Sequence, residues 1–235
     1  RLAPLGRADP PTRPARPERP ELRPPSAMPK RRKARSAAGR VALLHALAHI
    51  ELNAVDLACD MIARFADPER AGEVLPDAFF DDWCAVADDE GRHFLMLADR
   101  LAAFGAAYGD LPAHDGLWQA AEATAGDLLA RLAVVPMVLE ARGLDVTPGM
   151  IANLDAAGDA DSAAILRIIH DEEIGHVAAG VRWFRHVAAS RGMEAEPQWR
   201  ALVRQYYRGP LKPPFNAESR ARAGMEPALY EPLAG

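Results

Sequence analysis

The sequence is poor in the features that mark several classes of protein. It has two cysteines in 235 residues, Cys59 and Cys84, and they do not form a C-x-x-C metal pair. We expect both to be ordinary buried, reduced thiols. No apolar run approaches the roughly 20 residues needed to span a bilayer, and no charged start followed by an apolar segment indicates a secretory signal. These absences predict a cytoplasmic protein without a membrane span.

Residues that favour β-strands are also sparse, whereas alanine and leucine are abundant. Because these two residues favour helices, the composition predicts an all-α protein. Hydrophobic residues make up 49% of the chain, which is enough for a sizeable core.

The net charge of −5 is unevenly distributed. Residues 1–40 contain 12 Lys or Arg, 3 Asp or Glu and 9 of the 20 prolines, which leaves 16 basic and 30 acidic residues in the remainder. Proline fixes φ and removes a hydrogen-bond donor, so residues 1–35 are predicted to form an extended, basic arm. The arm could contact nucleic acid, anionic lipid or a partner, or it could cover its own acidic body, and the sequence leaves these readings open.

Capping residues and turn signals predict four long helices, in the domain spanning residues 36–208. A tail at residues 209–235 is expected to be irregular and to pack on or near this domain. The predicted helices run from Ser36 to Phe65, from Asp77 to Gly105, from Asp115 to Arg142 and from Asp161 to Arg191, with short helices at 147–158 and 197–207.

Each long helix has an apolar stripe that is interrupted by an acid, or by an acid and a histidine three residues later. Residues three apart lie on one face of a helix, and a buried carboxylate is costly unless something pairs with it. The residues that interrupt the stripes are Glu51, Glu90 and His93, Glu140, and Glu173 and His176.

Four carboxylates that face each other would repel and bind protons, and two divalent metal ions would remove that penalty. The order Glu, Glu-x-x-His, Glu, Glu-x-x-His is typical of the carboxylate-bridged sites of ferritin-like four-helix bundles. A single Glu-x-x-His is usually a solvated helix face, but two of them with two further acids favour a metal site. Iron suits these ligands, and manganese suits them as well.

Neighbouring polar residues qualify this interpretation. Glu51 and Glu90 lie about equally far from the predicted connection between the first two long helices, so they should lie at the same level along the bundle. Glu140 lies close to a predicted helix end at Gly143, whereas Glu173 lies well inside its helix, so these two residues are not expected to lie at the same level. Glu172 is the nearest rival to Glu173. We interpret the remaining candidates as satisfied or supporting polar groups (His45, His49, His114, His170), as solvent-facing (Asp89, Asp171) and as residues able to orient a ligand (Asn53, Asp56).

Several long motifs carry a resemblance to a known family. They are "HALAHIELNAVDLACD", "VADDEGRHF", "LPAHDGLW", "LEARGLDVTPGM", "DEEIGHVAAGVRWF" and "KPPFNAESRARAG". Over about residues 24–225 the chain resembles a bacterial ferritin-like family catalogued as a domain of unknown function. More distantly, it resembles the tRNA-modifying di-iron hydroxylases. The resemblance implies the ferritin-like fold and ligand roles for the six residues above, but it implies no particular substrate.

Three hypotheses about function follow. The first is a di-iron (or di-manganese) oxidoreductase, an O2-activating hydroxylase or oxidase of a small organic substrate. The second is a ferroxidase or peroxide-scavenging, iron-handling protein, and the third is a binding module that the metal only stabilises. The additions around the helices favour the enzyme and a monomer or homodimer rather than a storage cage. No aromatic residues alternate with the basic ones, which disfavours a nucleic-acid partner.

Overall fold

The computed structural model describes residue 6 and residues 9–28 and 36–235. Within these residues the secondary structure is helical, and β-type pairing is limited to two isolated parallel bridges, Leu22 with Ala113 and Leu211 with Ala234. The prediction of an all-α protein is therefore confirmed for this part of the chain.

The first two long helices form an antiparallel pair, as predicted. The Ser36 side chain caps the first helix by accepting a hydrogen bond from the Gly39 backbone N–H at 3.1 Å. A short helix lies in the connection, and it ends at Gly72, whose φ of +78° favours glycine. The helices are α1 (Ala37–Phe65), α2 (Pro68–Ala71) and α3 (Asp77–Ala103).

The third long helix differs from the prediction at both ends. Its first part is a separate helix, α4 (Gly116–Ala123), because Asp127 caps a new start by accepting from the Leu129 N–H at 2.9 Å. From there α5 (Leu128–Val134), a π-helical turn (Val135–Glu140) and α6 (Ala141–Ala156) follow one another without interruption.

The predicted stop at Gly143 and the predicted new helix at Pro148 are therefore wrong. Proline cannot donate to the carbonyl four residues earlier, here that of Leu144. The Asn216 side chain donates to that carbonyl instead, at 3.2 Å, so α6 tolerates Pro148 in its interior. Glu140 consequently lies inside a long helical rod rather than near the end of one.

The fourth long helix and the segments that follow it are α7 (Ala160–Ser190) and α8 (Ala195–Tyr206). Both match the predicted positions within a few residues. The tail is not irregular throughout, because it contains α9 (Ala217–Arg222), α10 (Pro227–Tyr230) and a 3-10 turn (Glu231–Leu233). Arg220 in α9 donates to Asp145 of α6 at 2.7 Å and 2.8 Å, which fixes the tail against the helices.

The described part of the arm, residues 9–28, runs along the helical body. Arg16 forms an ion pair with Asp56 of α1 at 2.9 Å, and the Trp118 indole N–H donates to the Thr12 carbonyl at 3.1 Å. Arg13 pairs with Asp115 and Glu122. This segment thus covers its own acidic body, while the basic cluster at residues 30–35 lies outside the described residues.

Helix α1 is the one described helix that is long and apolar enough to cross a membrane by length and composition. The helix is not an uninterrupted apolar run, since Glu51 and Asp56 lie within it, so the expectation that no such run approaches about 20 residues is not contradicted. Half of its most apolar stretch is buried against other helices, as in the core helix of a folded domain.

The two cysteines depart from the prediction as well. Cys59 and Cys84 are free and exposed, so the expectation of buried thiols is wrong. The apolar stripes of α1 and α3 turn inward, and each cysteine lies on its helix outside that stripe.

Candidate metal centre

A layer of acids and histidines separates two apolar clusters along the long helices. One cluster contains Val86 and Val177, and the other contains Leu97 and Ile169. On α3 and on α7, Glu90 and Glu173 therefore lie between residues of the two clusters. The same stripe that builds the core carries the polar layer, which is why these charged side chains are buried.

Four of the six predicted ligands are close enough to share a metal ion. Glu51, Glu90, His93 and Glu173 each offer a ligand atom, and these atoms lie within 4.8 Å of one another. His93 Nδ1 is 3.3 Å from Glu51 Oε2 and 3.4 Å from Glu90 Oε2. This buried Glu/His cluster could hold a metal ion.

His176 joins the same layer from α7. Its Nδ1 is 3.1 Å from Glu90 Oε1 and 3.6 Å from Glu173 Oε2. The rings of His93 and His176 lie 5.8 Å apart between centroids. Glu90 therefore lies between the two histidines, with one oxygen toward each of them.

Glu140 lies at the end of the π-helical turn, outside the group of four. Burial raises the pKa of Glu140, and the nearby charges of Glu173 and Glu90 raise it further. The depth mismatch expected from the sequence disappears, because Glu140 and Glu173 lie 18 and 15 residues from Gly158, between α6 and α7 (158 − 140 and 173 − 158).

The side chains of the layer contact one another as ion pairs, with His93 Nδ1 3.3 Å from Glu51 Oε2 and 3.4 Å from Glu90 Oε2, but these contacts do not complete their hydrogen bonding. Five of their buried atoms have no hydrogen-bond partner among the described residues: Glu51 Oε2, Glu90 Oε2, Glu140 Oε2, Glu173 Oε2 and His93 Nδ1. Four carboxylates carry a charge of −4 when ionised, and two protonated histidines offset only half of it. Divalent cations bound beside neutral histidines would offset more of this negative charge, so the donor set fits a metal ion.

The pKa values describe how the layer accommodates its charge as it stands. Burial raises the pKa of Glu51, and also that of Glu173. Burial alone would lower the pKa of both histidines, but their carboxylate contacts raise it to about 10 for His93 and about 12 for His176. For Glu90, contacts with these histidines outweigh burial and lower the pKa to about 2. Because metal ligands must be deprotonated, metal binding here would release protons.

The acid that precedes each ligand glutamate contacts the histidine of the opposite helix. Glu172 Oε2 on α7 is 2.6 Å from His93 Nε2, and Asp89 Oδ2 on α3 is 3.3 Å from His176 Nε2. Arg92 donates to both acids, at 2.6 Å to Asp89 and 2.9 Å to Glu172. Each Nδ1 is thereby directed at the layer, since the partner of one ring nitrogen fixes the role of the other.

These crossed contacts correct two sequence interpretations. Asp89 is not simply solvent-facing, and Glu172 is not a rival to Glu173 but the partner of His93. The signal that could have found them is an acid directly before each Glu-x-x-His. Asp171, by contrast, is exposed as expected.

Other histidines have their contacts outside the layer, although His170 Nδ1 is buried without a hydrogen bond among the described residues. His49 contacts the Tyr108 hydroxyl at 2.9 Å and the His114 carbonyl at 3.1 Å, and burial lowers its pKa to about 4. His45 accepts from the Gly109 N–H at 3.0 Å, and His170 contacts Ser219 at 3.2 Å. Asn53 and Asp56 contact Arg16 of the arm rather than a ligand of the layer.

Comparison with known proteins places this chain in a family. The profile of the family described as "Protein of unknown function (DUF455)" matches residues 3–231. A relative from Haemophilus influenzae named "Uncharacterized protein" is 42% identical over 203 residues, which cover 86% of this chain and 69% of the relative. No solved structure matches the chain.

Proposed function

The chain belongs to the family described as "Protein of unknown function (DUF455)", and we propose that it is a non-haem di-iron or di-manganese oxidoreductase. In this proposal the four long helices α1, α3, α5–α6 and α7 form a ferritin-like bundle. Two metal ions are held by the six residues predicted from the sequence: Glu51, Glu90, His93, Glu140, Glu173 and His176.

The observation that carries the proposal is the set of unsatisfied carboxylate oxygens in the layer. A buried acceptor without a hydrogen bond costs free energy, and here four glutamates from four helical segments each have one such oxygen. Histidine Nδ1 atoms lie 3.3–3.6 Å from three of these oxygens, and Glu140 Oε2 has no such contact among the described residues. The Glu-x-x-His pairs on α3 and α7 meet within contact distance, as the ligand order of dinuclear carboxylate sites requires.

Two iron ions bound there would supply the chemistry that activates O2 for the oxidation of a C–H bond. The residues of the chain would do the rest. Glu51, Glu90, Glu140 and Glu173 would hold the ions, and the two apolar clusters would limit the access of water to the layer. Glu172 and Asp89 would keep each histidine turned toward the ions.

We propose a small organic substrate, a monomer or homodimer, and a location in the cytoplasm. Trp83 and Phe94 flank Glu90 and His93 on α3, but they lie in different apolar clusters and so do not form one wall of a substrate pocket. We therefore base the proposed substrate class on the residues of the layer and not on Trp83 and Phe94.

One observation favours iron handling as the second candidate function. Asp89 and Glu172 are about one-third exposed, at 35% and 33% of their side chains, and they connect the buried histidines to the surface between α3 and α7. Acidic groups that lead from solvent to a metal site suit the passage of cations as well as the orientation of histidine.

Anaerobic loading of the metal-free chain with Fe2+, followed by exposure to O2, tests the proposal. We expect about two iron ions per chain and an optical change on exposure to O2. Glu90→Gln should lose metal, whereas Glu196→Gln, an exposed acid on α8, should bind as the wild type does. Failure of the wild type to bind iron or manganese would contradict the proposal. Iron accumulating in a many-subunit shell would favour the second candidate.

A further inference from the structure

Helix α7 approaches the π-helical turn more closely than a side chain at Gly180 would permit. A Cβ atom at this position would lie 2.5 Å from Cβ and 2.6 Å from Cγ of Pro136. Gly180 is buried, one helical turn beyond His176. Its φ is not positive, so the requirement for glycine here is one of space and not of backbone conformation.

The residue that Gly180 contacts is tied to a predicted metal ligand. Pro136 lies within the turn Val135–Glu140, and its carbonyl accepts a hydrogen bond from the backbone N–H of Ala141, the residue after Glu140. A proline ring cannot turn aside as a flexible side chain can, because it is closed onto its own backbone. Any displacement of Pro136 would therefore move the backbone that carries Glu140.

The turn also determines which way Glu140 points. A π-helical turn contains one residue more than the corresponding α-helical turn, and such turns are frequent at functional sites. That extra residue rotates the residues that follow by about 100° relative to an uninterrupted α-helix. The position of Glu140 thus depends on this turn being held in place.

We propose that Gly180 is a positioning residue, whose missing side chain lets the turn Val135–Glu140 lie against α7 and so places Glu140 in the layer. The inference rests on the proposed metal centre and extends it to a residue that is not a ligand. Substitution by alanine would push the turn away from α7 and withdraw the Glu140 carboxylate.

Titration of the metal-free protein with Co2+ tests this inference, because the visible spectrum of Co2+ reports how many ligands surround it. The variants are Gly180→Ala, Glu140→Gln and the control Gly175→Ala. Gly175 lies on the same helix with nothing within 4 Å of a Cβ at that position. We expect Gly180→Ala to reproduce the altered spectrum of Glu140→Gln, with at least tenfold weaker binding of one ion, and Gly175→Ala to match the wild type.

A rescue variant covers the case in which Gly180→Ala does not fold. Pro136→Gly combined with Gly180→Ala removes both carbon atoms that the new Cβ would meet, so folding and the wild-type spectrum should return. A folded Gly180→Ala with a wild-type spectrum and affinity would overturn the positioning role alone. A rescue variant that folds but keeps the Glu140→Gln spectrum would also overturn it. No Co2+ binding by either the wild type or Gly175→Ala would overturn the metal centre itself, and the inference with it.

Discussion

Two regions of this protein bury charged side chains, and they differ in how completely those side chains are hydrogen-bonded. Arg131 of α5 is 1% exposed, and each of its three nitrogens donates, to Asp60 at 2.5 Å, to Thr124 at 3.0 Å and to the Ala121 carbonyl at 2.7 Å. The Glu/His layer leaves five buried atoms without a hydrogen bond among the described residues. The polar groups of the Arg131 site are hydrogen-bonded within the chain, whereas the layer keeps buried atoms that could bind a metal ion.

The difference shows how a ligand site can be distinguished from a structural ion pair. Burying charge is tolerated when partners are present and strongly destabilising when one partner is missing. The Arg131 site contains both charges and their hydrogen bonds. The layer contains an excess of acid that its own histidines cannot neutralise, so its composition points to cations from outside the chain.

The largest expected effect is the stabilisation of the layer by metal. Binding to the folded state alone stabilises by about 4 kcal/mol per ion when the free ion is at about 1,000 times its Kd. Thermal unfolding of metal-free and Mn2+-loaded protein should therefore differ by many degrees, and His93→Ala should remove most of that difference. Equal unfolding temperatures for the wild type with and without metal would show that the layer, like the Arg131 site, gains no stability from metal.

The Arg131 site should behave in the opposite way. Arg131→Met leaves Asp60 buried with Arg64 as its remaining basic partner, and we expect a loss of about 3 kcal/mol in the free energy of unfolding. The loss should be the same in metal-free and metal-loaded protein, as measured by urea denaturation. A loss that depended on metal would mean that the two regions are coupled.

The crossed acids should have a smaller effect, confined to metal affinity. Glu172→Gln weakens the contact that directs His93, and such partners typically contribute about 10- to 100-fold in affinity, or about 1.4–2.7 kcal/mol. Asp171→Asn, the exposed neighbour on the same helix, is the matched control. Competition with a chelator measures both, and equal affinities for the two variants would show that the contact does not support the site.

The smallest expected effect concerns pH and lies outside both regions. Burial lowers the pKa of His49 to about 4, below its value of about 6.5 in the unfolded chain. The contribution of neutral His49 to the free energy of unfolding is therefore fully present above pH ~6.5 and is lost as the pH falls toward 4. Between pH 7 and 5 the loss should be about 1–2 kcal/mol after allowance for exposure. The difference in unfolding free energy between the wild type and His49→Gln should shrink by this amount on acidification, and a difference that stayed constant would contradict the assignment.

The sequence was sufficient to predict features that depend on one helix or on one tight connection. Ser36 and Asp77 mark helix starts by local chemistry, and Glu51 and Glu90 match in depth because a short connection joins their helices. Gly143 and Pro148 were misinterpreted because the side chain that makes Pro148 tolerable comes from Asn216, 68 residues later (216 − 148). Asp89 and Glu172 were misinterpreted because each meets its histidine only when α3 packs against α7.

The arm also constrains the order in which the molecule can be assembled. Arg13 pairs with Asp115 and Glu122, which follow it by 102 and 109 residues. Closing loops of this length costs conformational entropy before any contact compensates for it. The Arg13 contacts therefore form only after Asp115 and the helix α4 that contains Glu122 have been made, whereas Arg16 can already pair with Asp56 of α1.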